Sequence, residues 1–154
     1  GRIAKRHSEL LGLKQIDGAQ LVAVCDNIKD KALEISKIFG VPAYSDMDQM
    51  MASENIDVVV VLTPSGLHAE HVIKLSKYGK HIVVEKPMAL TVEDSDSMNY
   101  ACDANNIKLF VIKQNRFNLP VIKLREAIEQ NRLGNIFQNN EKVKIENLKN
   151  IVDD

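Results

Sequence analysis

The chain alternates between short apolar runs and longer stretches in which apolar residues recur every three or four positions. Short uninterrupted runs are typical of buried strands, and the longer spacing is typical of amphipathic helices. The predicted strands cover Gln20–Asp26, Val58–Leu62, His81–Val84 and Leu109–Ile112. The predicted helices cover Ile3–Leu11, Lys29–Phe39, Asp46–Met51, Leu67–Tyr78, Thr91–Asn105 and Pro120–Gln130. Strands that alternate with helices in this way predict an α/β fold with a parallel, doubly wound sheet.

Both ends of the chain depart from this pattern. No strand precedes the first helix, which begins directly after Gly1. The strand order of a Rossmann-like sheet is 3-2-1-4-5-6, so strand one is central, and we expect a sheet that lacks it. From residue 137 onward the chain is charged, with scattered apolar residues, and we expect residues 137–154 to form a frayed helix or to be disordered.

Composition excludes several classes of partner. The 154 residues carry a formal net charge of −1, and without a basic stripe we expect no nucleic-acid partner. The apolar runs are too short to span a bilayer and no secretory signal opens the chain, so we expect no membrane association. Cys25 and Cys102 are widely separated, which is typical of a reduced, cytoplasmic protein.

Five groups of residues could bind a ligand or take part in chemistry. Four of them follow predicted strands, at the edge where open α/β sheets bind ligands, and the fifth opens the chain. The first is Asp26, which lies 25 positions after Gly1 at the end of a strand. An acid near this distance accepts hydrogen bonds from the adenosine ribose of a dinucleotide and repels a 2′-phosphate, which favours NAD over NADP. Lys29 lies nearby, so NADP is not excluded. The alternative is a helix-capping or turn aspartate.

The second group is Gly1-Arg2-Ile3-Ala4. If Gly1 is the middle glycine of a dinucleotide fingerprint, the helix that begins at Ile3 points its N-terminus at the pyrophosphate. Ala4 is then the small residue that allows close packing of helix and strand. This interpretation depends on the presence of Asp26 at the expected distance.

The third group is Thr63-Pro64-Ser65-Gly66-Leu67-His68. Hydroxyls and backbone amides at a strand–helix junction suit a phosphate or a ribose edge. One helical turn separates His68 from His71, a spacing that also fits metal ligands, but a third ligand of suitable spacing is lacking. We therefore predict no metal site and interpret His71 as a packing residue.

The remaining two segments, one at the end of each later strand, are Glu85-Lys86-Pro87 and Gln114-Asn115-Arg116-Phe117. Pro87 ends the strand and can direct Lys86 into the ligand crevice. Arg116 can hold a carboxylate or phosphate, and Asn115 can hydrogen-bond a hydroxyl or the nicotinamide amide. The alternatives are a solvated ion pair at a strand end and a polar loop that leads into a helix.

Together these motifs resemble the glucose–fructose oxidoreductase / inositol dehydrogenase family over residues 1 to about 136. The resemblance implies that Lys86 is catalytic and hydrogen-bonds the substrate hydroxyl, and that the Lys86–Pro87 peptide is cis. It implies substrate contacts from Lys86, Asn115 and Arg116. The implied cofactor contacts are Gly1, Arg2, Ile3, Asp26, Thr63, Pro64, Ser65, His68, Glu85, Lys86 and Gln114. The family's second catalytic group, a histidine in a C-terminal domain, has no match here.

Within that family, the segment from Gln114 to Gly134 resembles dehydrogenases that oxidise C3 of UDP-N-acetyl-glucosaminuronic acid for surface polysaccharides. We therefore expect the NAD-binding part of a cytoplasmic sugar-nucleotide dehydrogenase that is a homo-oligomer at full length. The alternatives are an inositol or aldose dehydrogenase and a non-catalytic nucleotide-binding module. We expect an incomplete dinucleotide-binding domain over 1–136, with 137–154 as an atypical tail in place of the start of a substrate domain. The chain alone should bind NAD poorly and turn over nothing.

Overall fold

The computed structural model describes residues 2–134, 136–139 and 142–145, and it divides the chain into two compact units, 1–112 and 113–154. The first unit contains these elements in chain order: α1 (Arg2–Gly12), β1 (Val24–Cys25), α2 (Lys29–Phe39), β2 (Ala43–Tyr44), α3 (Met47–Ser53), β3 (Val58–Val61), a short 3₁₀ helix (Ser65–Leu67), α4 (His68–Ser76), β4 (His81–Val84), α5 (Val92–Ala104) and β5 (Leu109–Val111). The second unit contains a 3₁₀ helix (Gln114–Phe117), α6 (Leu119–Glu129), β6 (Ile136–Asn139) and β7 (Lys142–Ile145).

All strands of the first unit pair in parallel, which confirms the predicted fold class. Strands β3, β4 and β5 form one sheet in that order, with Val61 opposite Val84 and Val84 opposite Val111. Strands β1 and β2 form a second pair, with Val24 opposite Ala43. Within the described residues no strand joins β1 to β3. That gap is where the order 3-2-1-4-5-6 places strand one.

The gap accounts for a difference from the predicted strand 20–26, which is reduced to Val24–Cys25. A strand is defined by its ladder of hydrogen bonds, and here the ladder has a single partner. Val24 N–H donates to Pro42 O and Asp26 N–H donates to Tyr44 O. Strand β2 was not predicted, because two residues are too few to show a period.

The core lies between the three-stranded sheet and helices α4 and α5. Strand β4 is central, and the side chains of Ile82 and Val84 are fully buried. The helices bury apolar residues against the same core: Val72, Leu75, Met98 and Cys102. Strand β4 therefore has two paired edges and one buried face, that of Ile82 and Val84. Val83 on the opposite face is half-buried, so the strand is less covered than its uninterrupted apolar run predicts.

The helix-start signals behave as predicted. Asp46 accepts a hydrogen bond from Gln49 N–H at 2.8 Å at the start of α3. Thr91 accepts one from Asp94 N–H at 3.1 Å at the start of α5. These side chains satisfy backbone donors that the first turn of a helix leaves unpaired.

Helix α1 ends one residue later than the predicted Leu11. Gly12 is the last residue of α1, and the left-handed residue that follows the helix is Lys14, with φ 53°. A Cβ at Gly12 would lie 2.3 Å from Cδ1 of Phe39. The glycine therefore allows α1 to approach α2 closely.

The expectation of a frayed helix or disorder after Phe137 is wrong for the residues that the structure describes there. Strands β6 and β7 pair antiparallel, with Ile136 opposite Ile145. The sequence Lys142-Val143-Lys144-Ile145 alternates charged and apolar residues, which is the period of a strand. The prediction misses this strand because the segment as a whole is charged. The division into units at 112/113 differs from the predicted boundary at 136, which stays a prediction.

Candidate functional site

The candidate site lies at the carboxyl edge of the parallel strands in the first unit. Asp26 follows β1, Thr63 lies two residues after β3, and Lys86 lies two residues after β4. Because parallel strands end at the same side of a sheet, the loops after β3 and β4 are neighbours. Ile112 N–H donates to Val84 O at 2.9 Å, so β5 ends at this edge too.

Glu85 is the most connected side chain at this edge. It is 7% exposed, and its backbone N–H donates to Val61 O at 3.1 Å. Its Oε1 lies 3.1 Å from His7 Nε2, and its Oε2 accepts the Lys86 backbone N–H at 3.0 Å. A buried carboxylate needs such donors, because charge without partners is costly to bury. Glu85 therefore ties helix α1 to the end of β4.

Lys86 is exposed, and within the described residues its ammonium has neither a hydrogen-bond nor an ion-pair partner. Its backbone N–H is held by the Glu85 carboxylate, and the peptide to Pro87 is cis. The cis peptide that the resemblance implies is confirmed. An exposed ammonium without a protein partner, on a backbone held by a hydrogen bond, is suited to contact a ligand.

The loop after β3 is fixed by two histidines of helix α4. His68 is 1% exposed, with Nδ1 2.7 Å from Pro87 O and Nε2 2.9 Å from Thr63 O. His71 Nδ1 lies 3.0 Å from Thr63 Oγ1. Partial burial lowers the pKa of His71 below its ordinary value, so the ring is neutral near pH 7 and carries one N–H. His71, interpreted as a packing residue, therefore also fixes the Thr63 hydroxyl.

Asp26 lies at the carboxyl edge of β1 and also takes part in a turn. Its Oδ1 accepts Ile28 N–H at 2.9 Å, an arrangement that leads the chain into α2. The turn role that we held as an alternative is thus present. It occupies one carboxylate oxygen, and among the described residues no hydrogen bond to Oδ2 is seen, so a ligand hydroxyl can still be accepted there.

The remaining predicted site residues are accounted for as follows. Arg2 and Ile3 are exposed in the first turn of α1, which contains no acidic residue, and Gly1 lies outside the described residues. Pro64 is exposed and Ser65 half-buried at the start of the 3₁₀ helix. Gln114, Asn115 and Arg116 belong to the second unit, where they are exposed in one 3₁₀ helix. Their cofactor and substrate roles stay predictions.

Sequence reasoning missed His7. It lies on the apolar side of α1 together with Ile3, Leu10 and Leu11, where a histidine fits either packing or a buried partner. Its contact with Glu85 spans 78 positions of the chain. The available signal was one titratable residue on an otherwise apolar helix face.

Within the described residues no cluster of three potential metal ligands exists, and no helix there is long and apolar enough to cross a membrane.

The fold and the residues at the carboxyl edge define the class. The strand ends of this parallel α/β domain present an aspartate, a loop with hydroxyl side chains and a lysine. This arrangement is that of a dinucleotide-binding domain of the Rossmann type. The model of the oxidoreductase family with an NAD-binding Rossmann fold matches residues 1–113. The chain belongs to this family, and NAD, the cofactor expected from Asp26, is the cofactor of that fold.

Similar proteins include inositol dehydrogenases and a dehydrogenase solved with a sugar nucleotide. Myo-inositol 2-dehydrogenase of Thermotoga maritima is 36% identical over 135 residues, which are 87% of this chain and 40% of that protein. Scyllo-inositol 2-dehydrogenase (NAD⁺) of Bacillus subtilis is 28% identical over 87% of this chain and 39% of its own length. The WlbA dehydrogenase of Bordetella pertussis, solved with NADH and UDP-GlcNAcA, is 39% identical with a TM-score of 0.83. The match covers 89% of this chain and 42% of that one. The chain therefore spans about two fifths of the length of these relatives.

Proposed function

We propose that this chain forms the cofactor-binding part of an NAD-dependent dehydrogenase that oxidises a sugar-nucleotide hydroxyl, C3 of UDP-GlcNAcA, in surface polysaccharide biosynthesis. The observation that carries the proposal is Lys86, an exposed side chain at the carboxyl edge whose backbone N–H is held by the Glu85 carboxylate. The likeness to the WlbA dehydrogenase supports the substrate class.

The residues of the edge fit NAD. The Oδ2 atom of Asp26 accepts from the adenosine ribose, and its charge disfavours a 2′-phosphate. The first turn of α1 has no acidic residue and carries Arg2, so it suits a pyrophosphate. When bound, NAD supplies the hydride acceptor.

Lys86 acts on the substrate. As the neutral amine, its Nζ accepts a hydrogen bond from the hydroxyl that is oxidised and takes up the hydroxyl proton as the C–H bond breaks, which leaves an ammonium. A positive charge at this position stabilises the negative charge that develops on the oxygen.

Binding is tested by following the backbone amides in NMR spectra of the 154-residue chain during titration with NAD⁺. We expect shifts at Asp26, Ser65 and Lys86 with a Kd of about 1 mM, since the two parts of the sheet are not joined by a strand among the described residues. Absence of shifts at these residues up to about 10 mM would contradict the proposal.

Activity is tested with the protein expressed from its complete reading frame, from the absorbance of NADH formed with UDP-GlcNAcA. Lys86→Met should lower kcat about 10²- to 10⁴-fold. Lys108→Met is the matched control, because Lys108 is exposed at the opposite, amino end of β5. A Lys86→Met enzyme as active as the control would refute the role of Lys86.

A second candidate is an inositol dehydrogenase, favoured by the 36% identity to the Thermotoga enzyme. Both reactions remove a hydride from a ring carbon that bears a hydroxyl and a proton from that hydroxyl, so the same lysine serves either. Turnover of myo-inositol in preference to UDP-GlcNAcA would select this candidate.

A further inference from the structure

His68 lies between two loops that follow adjacent strands. The ring is 1% exposed at the start of α4, yet neither ring nitrogen faces apolar groups. Nδ1 is 2.7 Å from Pro87 O in the loop after β4, and Nε2 is 2.9 Å from Thr63 O in the loop after β3. One side chain thus bridges the backbones of both loops.

In the hydrogen bonds of this bridge only the histidine ring can be the donor. A carbonyl oxygen can only accept, so the ring must donate. A neutral imidazole donates to one of the two carbonyls, and an imidazolium donates to both. With both nitrogens facing these carbonyls, the ring has no polar atom left for a ligand. This differs from the cofactor contact that the sequence motif implied.

The bridge ends one residue from Lys86. Glu85 holds the other side, since its carboxylate accepts Lys86 N–H and its own N–H donates to Val61 O. On the C-terminal side of Lys86, the Pro87 carbonyl attaches the chain to His68 of helix α4.

We propose that His68 is a positioning residue for Lys86: its Nδ1–H donates to the Pro87 carbonyl and ties it to helix α4, which fixes the backbone from which the lysine projects. The structural part stands by itself, and the catalytic part rests on the proposed function. The role differs from a cofactor contact because it acts through backbone atoms of a neighbouring loop.

The structural part is tested on the 154-residue chain, without cofactor and at fixed pH, by amide hydrogen exchange. The Lys86 amide, bound to the Glu85 carboxylate, reports opening of the loop. The Ile112 amide, which donates to Val84 O, reports opening of the sheet. His68→Leu should raise the exchange rate of Lys86 about tenfold more than that of Ile112. An unchanged ratio of the two rates would overturn the proposal.

Two conservative variants separate the two bonds. Asparagine can place its amide nitrogen near the position of Nδ1, and glutamine near that of Nε2. We expect His68→Asn, which keeps the bond to Pro87, to restore slow exchange at Lys86, and His68→Gln to restore it less. Rescue by glutamine alone would overturn the proposal, because the ring would then support the Thr63 loop and not the lysine.

Val72→Ala is the control for general loss of stability. Val72 is fully buried on the same helix, belongs to the hydrophobic core and makes no side-chain hydrogen bond. It should raise both exchange rates equally. If it changed their ratio as much as His68→Leu does, the bridge would have no specific effect, and the proposal would fail.

The catalytic part is tested with the protein from its complete reading frame. His68→Leu should lower kcat, with the KM for NAD unchanged, and His68→Asn should recover most of the loss. A raised KM with unchanged kcat would mean a cofactor contact and would refute positioning. A wild-type enzyme without dehydrogenase activity would refute the proposed function, while the exchange result would still decide the structural role.

Discussion

Replacing His7 by leucine should destabilise the first unit, because it removes a donor from a nearly buried carboxylate. The His7 Nε2–H donates to Glu85 Oε1 at 3.1 Å, and the two side chains are 21% and 10% exposed. After the substitution, the Lys86 backbone N–H is the donor that remains for Glu85 among the described residues.

The expected magnitude follows from the burial. A hydrogen bond to a charged group contributes about 1.5–3 kcal/mol, and exposed ion pairs contribute about 0.2–1 kcal/mol. His7 is partly exposed, so water replaces part of the lost bond. We therefore expect His7→Leu to lower the free energy of unfolding by about 1–2 kcal/mol.

The assay is urea unfolding of the 154-residue chain in a double-mutant cycle of His7→Leu and Glu85→Gln. The coupling energy should be about 1 kcal/mol. Arg6→Ala is the control on the same helix, since Arg6 pairs with Glu9 at 4.0 Å while 60% exposed, and it should cost less than about 0.5 kcal/mol. A coupling below about 0.3 kcal/mol would refute the reasoning, because His7 and Glu85 would then be independent neighbours.

Three further predictions follow from other contacts. Gly12→Ala should destabilise the chain by about 1–2 kcal/mol in urea unfolding, because a Cβ 2.3 Å from the Phe39 ring outweighs the gain in helix propensity. A variant as stable as wild type would show that the ring moves freely. The hydrogen bond from Tyr78 lowers the pKa of Asp48 to about 2. The stability that the Tyr78–Asp48 pair contributes is thus present above about pH 4 and lost as pH falls toward 2. Asp48→Asn should therefore remove this part of the pH dependence of the free energy of unfolding. Asp26→Asn keeps an acceptor for Ile28 N–H and removes the charge. It should raise the affinity for NADP relative to NAD about tenfold by NMR titration; an unchanged ratio would contradict the assignment of Asp26.

Local patterns account for the parts of the fold that the sequence predicted well. The apolar run Ile82–Val84 ends at Glu85 in the structure as in the prediction, because the change from apolar to charged residues is abrupt there. The start of α5 at Val92 follows from the Thr91–Asp94 capping box, a contact between residues three apart.

Contacts between distant residues account for what could not be predicted. His68 belongs to a motif that the sequence shows. Its burial between Thr63 O and Pro87 O, however, depends on the parallel pairing of β3 with β4. His7 and Glu85 are 78 positions apart, and nothing in either local sequence indicates the other.

Helix α1 contributes to the spacing between Asp26 and Lys86. Among the described residues, β1 and β3 share no ladder, so backbone pairing does not set the distance from Asp26 to Lys86. Two contacts of α1 link the two regions: Glu85, next to the lysine, bonds His7, and Gly12 packs against Phe39, the last residue of the helix that follows Asp26. These contacts resist displacement of α1, because neither can stretch or compress without loss of energy. Changes at His7 or Gly12 should therefore alter the geometry of the edge that carries Asp26 and Lys86, even though neither substitution touches those two side chains.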